Sequence, residues 1–268
     1  MAAEPEIAPH APLVARRDEG GVVTLTLNRG DRFNPLSAGM IAALDAELDR
    51  VAADPAARVI VVAGAGRGFC AGHDLKEMRA HSDDRGWQTD LFAACSRMMV
   101  KLTQLPQPVI ARVHGIATAA GCQLVSMCDL AVASEDARFA LPGVNIGVFC
   151  STPAVGVARN VGRKRAMELL LTGELFDART ALSWGLVNRV VPQDAIDAEI
   201  AKLTSTIVAR SRRVIASGKR AFYQQIEQAM PDAYALTGSV MACSMLEEDA
   251  GEGIDAFLQK RPPRWPAP

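Results

Sequence analysis

Two short stretches rich in glycine and alanine carry the residues of this sequence that could do chemistry. The first, GAGRGFCAGHDLKEM, covers 64–78, and the second, HGIATAAGCQ, covers 114–123. In each stretch, small residues follow a short apolar run and precede the start of a predicted helix. The first N–H groups of a helix have no intrahelical partner, so they favour an anion. Two such N–H groups facing one point would form an oxyanion hole for an enolate or a tetrahedral oxygen.

The residues around these N–H groups decide which chemistry they could support. The first helix is predicted to start near Asp74, a suitable N-cap, and His73 stands directly before it. The second is predicted to start at 119–121, and Gln123 shares a helix face with Ala120. Each stretch also has a purely structural alternative. The first could be a glycine-rich turn with Asp74 as helix cap, and the second could be a helix whose small residues allow close packing. Together, the two stretches favour a site more strongly than either one alone.

Strands and helices alternate around both stretches. Short apolar or β-branched runs predict strands at 21–28, 58–64, 109–113 and 129–134. Helical spacing of apolar residues predicts one helix after the N-cap Ser37 and another from Gly86 to Leu105. From Thr152 the chain is predicted to be helical, except for a strand at 185–191. This order favours an α/β core with a C-terminal helical segment.

The composition is that of an ordinary globular protein, with 268 residues of which 49% are hydrophobic and 22% charged. The formal net charge of −1 gives no basic excess for nucleic acid, and no apolar run reaches the length of a membrane span. We therefore predict a small molecule or a second copy of the chain as the partner, and neither nucleic acid nor membrane. The six cysteines have no C-x-x-C spacing, which predicts free thiols, no metal and a cytoplasmic location.

The beginning of the chain predicts a short flexible lead-in at 1–18. Glu4 and Glu6 precede any arginine, and prolines interrupt the segment, which fits neither a secretory signal nor a mitochondrial presequence. No linker-like composition divides the rest. We therefore predict a core at 19–205 that continues directly into the helical segment at 206–268.

Longer motifs resemble the crotonase superfamily, whose best-known members are enoyl-CoA hydratases and isomerases. The matching motifs are LNRGDRFNPLS (27–37), GAGRGFCAGHDLKEM (64–78), QPVIARVHGIATAAGCQLVSMCDLAVAS (107–134), ARFALPGVNIGV (137–148), GRKRAMELLLTGELFDARTALSWGLVNRVVP (162–192) and EGIDAFLQKR (252–261). The resemblance implies a spiral of ββα units at 19–205 and a helical trimerisation segment at 206–268. It also implies trimers or dimers of trimers.

The resemblance implies that the ligand is an acyl-CoA thioester. Coenzyme A is then part of the substrate, and no separate cofactor is expected. The thioester oxygen would accept hydrogen bonds from the backbone amides of His73 and Ala120. The other substrate-binding positions carried over are Arg32, Ala71, Asp74, Leu75, Lys76, Ile116, Pro142, Phe257 and Lys260. In relatives, the positions matching the last two sometimes complete the site of a neighbouring subunit.

The chain departs from the family at both acid–base positions. Hydratases of the family have GGGCE where this chain has AAGCQ, and PE where it has Pro142–Gly143. Gln123 and Gly143 therefore replace both catalytic glutamates, and Ser151, where some relatives place an acid, is not acidic either. An amide does not titrate near neutral pH, and glycine has no side chain. Positioned acid–base groups typically contribute ~10²–10⁴-fold to a rate, so the sequence does not support ordinary hydration.

Three functions stay open. The family implies an enoyl-CoA hydratase or isomerase of fatty-acid metabolism, with a hydratase-like lyase as the enzyme class. The missing glutamates favour a protein that binds acyl-CoA without turnover, or one whose reaction needs chiefly enolate stabilisation, such as decarboxylation or thioester hydrolysis. His73, Cys150 and Ser151 are candidates to replace the missing groups, with packing or solvation as the alternative role. We expect His114 to be structural and Asp129 to be a capping or turn residue.

Overall fold

The computed structural model describes residues 11–265, which form an α/β core followed by helices. The strands are β1 (Val14–Glu19), β2 (Val22–Leu27), β3 (Val59–Gly64), β4 (Val109–Val113), β5 (Ile116–Thr118), β6 (Leu130–Ser134), β7 (Arg138–Ala140), β8 (Phe176–Asp177) and β9 (Arg189–Val191). The helices are α1 (Ala38–Ala53), α2 (Leu75–Ala80), α3 (Arg85–Gln104), α4 (Ala120–Met127), α5 (Ser151–Asn160), α6 (Arg163–Thr172), α7 (Ala178–Trp184), α8 (Ile196–Val208), α9 (Arg212–Gln225), α10 (Met230–Ser244) and α11 (Glu248–Leu258). Short 3-10 helices cover Gly30–Arg32, Pro142–Ile146 and Gln193–Ala195.

The strands form two sheets. The larger has the order β1-β2-β3-β4-β6-β9 and is parallel except for β1, which runs antiparallel to β2. The smaller has the order β5-β7-β8. All six residues of β3 are buried, because helices cover both faces of the parallel sheet. The predicted α/β fold with its C-terminal helical segment is confirmed.

Local sequence signals set several helix starts near the site. Ser37 Oγ accepts a hydrogen bond from the amide of Met40 at 3.1 Å, which caps α1 as predicted. Asp74 Oδ1 accepts from the amides of Lys76 and Glu77 at 3.0 and 3.2 Å, which caps α2. The Asp74 cap fixes the direction in which the chain leaves the first glycine-rich stretch.

Three details of the predicted elements are wrong. The flexible lead-in at 1–18 is too long, because β1 begins at Val14 and pairs with β2; residues 1–10 lie outside the described part. The strand predicted at 185–191 is shortened to β9, because the amides of Leu186 and Val187 bond to the carbonyl of Ala181 and close the end of α7. A second interruption of the helical half, β8, was not predicted and joins the smaller sheet.

Asp129 anchors α9 to the core and is not a simple capping or turn residue. Its carboxylate accepts hydrogen bonds from Lys219 Nζ at 2.6 Å, the Tyr223 hydroxyl at 2.9 Å and the amide of Val109 at 2.6 Å. Lys219 also donates to the carbonyls of Leu102 and Gln107.

Within residues 11–265, no helix is long and apolar enough to cross a membrane.

Candidate active site

The two glycine-rich stretches meet in the structure. A Cβ added at Gly72, whose φ is +97°, would lie 2.8 Å from Cβ of Ala119 and 3.3 Å from the amide nitrogen of Ala120. Two hydrogen bonds join the same loops, from the Thr118 amide to the Cys70 carbonyl and from the Thr118 hydroxyl to the Ala71 carbonyl, each 3.0 Å long. The backbone just before His73 therefore touches the start of α4.

Neither predicted amide donor has a backbone carbonyl acceptor among the described residues. Ala119 has φ +50° and ψ −119°, a conformation that is unusual for a residue with a Cβ. It starts α4 at Ala120, whose N–H lies in the first turn and has no intrahelical acceptor. Within residues 11–265, the N–H of His73 has no backbone carbonyl acceptor either.

A cavity of about 990 Å³ opens where these loops meet. Of the site residues predicted from the sequence, the following line it: Arg32, Ala71, His73, Asp74, Leu75, Lys76, Ala120, Pro142, Gly143, Cys150 and Ser151. The remaining wall consists of Pro35, Met78, Phe92, Ala119, Asn145, Ile146, Val148, Phe149, Thr152 and Pro153. Most of these side chains are apolar, and the size suits an organic ligand.

Four predicted residues lie outside the cavity wall. Gln123 is buried, 4% exposed, and among the described residues its Oε1 has no hydrogen-bond partner. Ile116 supports the first loop, since its carbonyl accepts from the amides of Phe69 and Cys70. Phe257 is 82% exposed near the end of α11, and Lys260 follows that helix. The contribution of these two residues to a neighbouring subunit's site stays a prediction.

Sequence reasoning missed Met78, Phe92 and Phe149 as wall residues. Phe92 lies in the middle of α3, and its ring meets the His73 ring edge to face, with 5.2 Å between centroids. No local motif marks it, because its place in the wall depends on how α3 packs against the first loop. The spacing of apolar residues in α3 predicts that one face of the helix packs against the core, but it does not predict that Phe92 lines a cavity.

The polar groups in the wall differ in what they can do. Burial lowers the pKa of His73 to about 4, so its ring is neutral near pH 7, and Nε2 is buried with no partner among the described residues. Burial raises the pKa of the Cys150 thiol, whose sulfur accepts the Gly143 N–H at 3.3 Å. Arg32 and Lys76 are exposed cations, whereas the Asp74 carboxylate caps α2.

The remaining candidates support the loops or lie at the surface. His114 Nε2 lies 2.9 Å from the Gly66 carbonyl oxygen, which ties the first loop to the end of β4. Ser151 is exposed, and its hydroxyl donates to the Phe149 carbonyl at 3.4 Å. All six cysteines are free, and residues 11–265 contain no cluster of three or more His, Cys, Asp or Glu side chains suited to a metal ion.

Gly143→Ala is expected to lower the free energy of unfolding by about 1–3 kcal/mol, the usual cost of overpacking. An added Cβ would lie 2.6 Å from the Val148 carbonyl oxygen and 2.8 Å from Cys150 Sγ. Urea denaturation measures the change. Gly238→Ala is the matched control, since nothing lies within 4 Å of its added Cβ in α10. Equal stability of the two variants would contradict the tight packing inferred at Gly143.

A two-sheet α/β core, a C-terminal helical segment and two amide-bearing loops at one apolar cavity define the crotonase class of fold. The family model for enoyl-CoA hydratase/isomerase matches residues 17–268, and the chain belongs to this family. The chain is 44% identical to enoyl-CoA hydratase domain-containing protein 3, mitochondrial, of Xenopus laevis, over 96% of this chain and 87% of that protein. The likeness to this protein, which the sequence motifs also indicate, is therefore confirmed.

Solved structures agree with this assignment. The crystal structure of an enoyl-CoA hydratase of Mycobacterium smegmatis is 56% identical, with a TM-score of 0.93 over 95% of this chain and 99% of that one. The structure of human enoyl-CoA hydratase domain-containing protein 3 is 42% identical, with a TM-score of 0.92 over 94% of this chain and 100% of that one. The fold class and the family are thus the same.

The predicted cytoplasmic location is wrong by comparison with these relatives. The Xenopus protein is named as mitochondrial, and so is its human counterpart. The prediction depended on the free cysteines, which fit any reducing compartment and so do not distinguish the cytoplasm from the mitochondrial matrix.

Proposed function

We propose that this protein binds acyl-CoA thioesters in the 990 Å³ cavity and stabilises the thioester enolate with the amides of His73 and Ala120. The observation that carries this proposal is the contact between Gly72 and the start of α4, which sets the two free N–H groups beside one cavity. Preorganised hydrogen-bond donors that face developing negative charge in a water-excluded site are usually the largest single contribution to catalysis.

The cavity chemistry suits both ends of such a ligand. Apolar side chains such as Leu75, Met78 and Phe92 would cover an acyl chain. Arg32 and Lys76 are exposed cations in the wall of the same cavity, and they would bind the phosphates of coenzyme A.

Ordinary hydration does not belong to this proposal. Adding water across a conjugated double bond needs a group that takes a proton from water and one that protonates the α-carbon. Gln123 does not titrate, and the space beside Gly143 is occupied by the Val148 carbonyl and the Cys150 sulfur. A second candidate function, acyl-CoA binding without turnover, is favoured by these same two positions.

Self-association into trimers or dimers of trimers completes the proposal. α9 to α11 expose large apolar side chains, including Phe222, Tyr234, Met241, Leu246 and Phe257. Exposed apolar side chains that form a patch mark protein–protein contacts, so we propose these helices as the place where a neighbouring chain packs. A neighbouring chain on this surface would also give Phe257 and Lys260 a ligand-binding role.

Octanoyl-CoA is expected to stabilise the protein, while trans-2-octenoyl-CoA is not hydrated above the catalyst-free rate. At a ligand concentration 100 times the Kd, the gain is about 2.7 kcal/mol, which raises the Tm by roughly 5–10 °C. Differential scanning fluorimetry measures the shift, and the conjugated-thioester absorbance measures hydration. Free coenzyme A is the matched control ligand.

Two results would contradict this function. If no acyl-CoA shifted the Tm more than free coenzyme A does, the cavity would not be an acyl-thioester site. If trans-2-octenoyl-CoA lost its conjugated absorbance rapidly, groups at positions other than 123 and 143 would have to transfer the protons.

A further inference from the structure

We propose that the cavity takes long unbranched acyl chains, and that the far end of the chain lies on an apolar rim formed by Ile146, Val148 and Phe149. The proposal rests on the proposed function and deepens it, because it names the class of acyl group and the residues that select it. All three rim residues lie outside the two glycine-rich stretches.

The rim residues belong to the cavity wall and are also open to solvent. Ile146, Val148 and Phe149 line the cavity, yet they are 57%, 52% and 46% exposed. Exposed apolar residues that are scattered singly are normal on a soluble protein, whereas a contiguous group marks a binding surface. Because these three side chains also line the cavity, the apolar surface continues the space in which the ligand is proposed to bind.

Hydrogen bonds fix the backbone that carries the rim. The Val148 amide donates to the Gly143 carbonyl at 3.0 Å, and the Ser151 amide donates to the Phe149 carbonyl at 2.7 Å. Between Ile146 and Val148 the chain turns at Gly147, whose φ of +80° favours glycine. The backbone of the rim is therefore in place before a ligand binds, so that little ordering entropy opposes packing of an acyl chain on it.

Charge separates the rim from the rest of the exposed wall. Arg32 and Lys76 are exposed cations in the wall, and they come from the segment after β2 and from α2. Residues 139–158, which include the rim, contain no charged side chain. The phosphates of coenzyme A would bind the cations and gain nothing at the rim. The rim suits the other end of the ligand, the hydrocarbon chain.

An open apolar rim predicts how affinity depends on chain length. A closed wall would stop a chain that exceeds the cavity, whereas this rim offers further apolar contact. The cavity volume of about 990 Å³ is already at the upper end of the usual range for small-molecule sites. Full burial of one methylene tightens binding about fourfold, and coverage on one side only would give roughly twofold.

Isothermal titration calorimetry of the full-length protein with butyryl-, octanoyl- and myristoyl-CoA tests the rim. All three ligands are used below the concentration at which myristoyl-CoA forms micelles. The wild type is expected to bind myristoyl-CoA at least ~10-fold more tightly than octanoyl-CoA, because six further methylenes would pack on the rim. Butyryl-CoA, whose chain is too short to benefit from the rim, is the reference ligand.

The double variant Ile146→Ser/Phe149→Ser is expected to lose at least ~10-fold in affinity for myristoyl-CoA. Its affinity for butyryl-CoA should stay within about twofold of the wild type, which also shows that the variant is folded. Ile146→Leu/Phe149→Leu keeps the rim apolar and should retain the gain with chain length. Val155→Ser/Leu182→Ser is the matched control, since both side chains are apolar and exposed but lie outside the cavity wall.

The outcomes separate the rim from the proposed function. An affinity that levels off at octanoyl-CoA in the wild type would overturn the role of the rim and leave the proposed function standing. The same holds if the serine variant keeps the full gain. A serine variant that keeps this gain but changes its oligomeric state in analytical ultracentrifugation would assign the rim to a second copy of the chain. If no acyl-CoA bound more tightly than free coenzyme A, the proposed function itself would be refuted.

Discussion

Gly72→Ala is expected to weaken octanoyl-CoA binding at least ~10-fold and to slow α-proton exchange by about 10²–10³-fold, the cost of losing one oxyanion donor. The added Cβ would lie 2.8 Å from Cβ of Ala119 and 3.3 Å from the amide nitrogen of Ala120. It would also force a side chain onto a backbone with φ +97°. Both donor segments must therefore move apart. Fluorimetry with octanoyl-CoA and NMR in D₂O measure the two effects.

Gly218→Ala is the control for this substitution. Gly218 is an exposed residue of α9 with nothing within 4 Å of an added Cβ, and alanine is the better helix former. Binding and exchange are expected to stay at the wild-type level. Circular dichroism shows whether each variant is folded. A folded Gly72→Ala variant with wild-type affinity would mean that the two loops do not form one thioester site.

Lys219→Met is expected to lower the free energy of unfolding by about 3–5 kcal/mol, the usual cost of removing one partner of a buried ion pair. The side chain of Lys219 is 7% exposed and that of Asp129 is 16% exposed, with 2.6 Å between Nζ and Oδ2. Desolvation lowers the pKa of Lys219, although the neighbouring carboxylate opposes this effect. Methionine keeps the length of the side chain but leaves the Asp129 carboxylate without its counter-charge, and it removes the Lys219 donor from the carbonyls of Leu102 and Gln107.

Urea denaturation at neutral pH measures this loss, and Lys202→Met is the control. Lys202 pairs with Glu199 at 2.9 Å but is 71% exposed, so its loss should change stability by less than about 1 kcal/mol. Adding Asp129→Asn to Lys219→Met removes the stranded charge and should restore part of the stability. A double variant as unstable as the sum of its single variants would rule out the ion pair as the cause.

The local rules of the sequence predicted much of the scaffold. Ser37 and Asp74 cap helices because their side chains reach backbone amides two or three residues away, which depends on no distant contact. The failures came where a distant contact decides. The segment 185–191 is apolar enough for a strand, yet its first half closes α7 through bonds to Ala181.

In the candidate site too, residues in local motifs were predicted, whereas residues placed by distant contacts were not. Eleven predicted residues line the cavity, and six of them lie in the two glycine-rich stretches. The resemblance assigns Gln123 to the position of a catalytic glutamate, but its side chain is buried outside the cavity wall. Phe92 and Phe149 come from segments with no motif of their own, so only their packing shows that they cover the ligand space.

The sequence by itself determined the family, most of the order of strands and helices, the two glycine-rich loops and the residue types at positions 123 and 143, since each depends on residue identity and short-range spacing. Only the tertiary structure decided that Gly143 has no space for a side chain, that Asp129 binds Lys219, and that His73 is a neutral ring in the cavity wall. Those outcomes depend on which groups far apart in the chain come within a few ångströms and lose water.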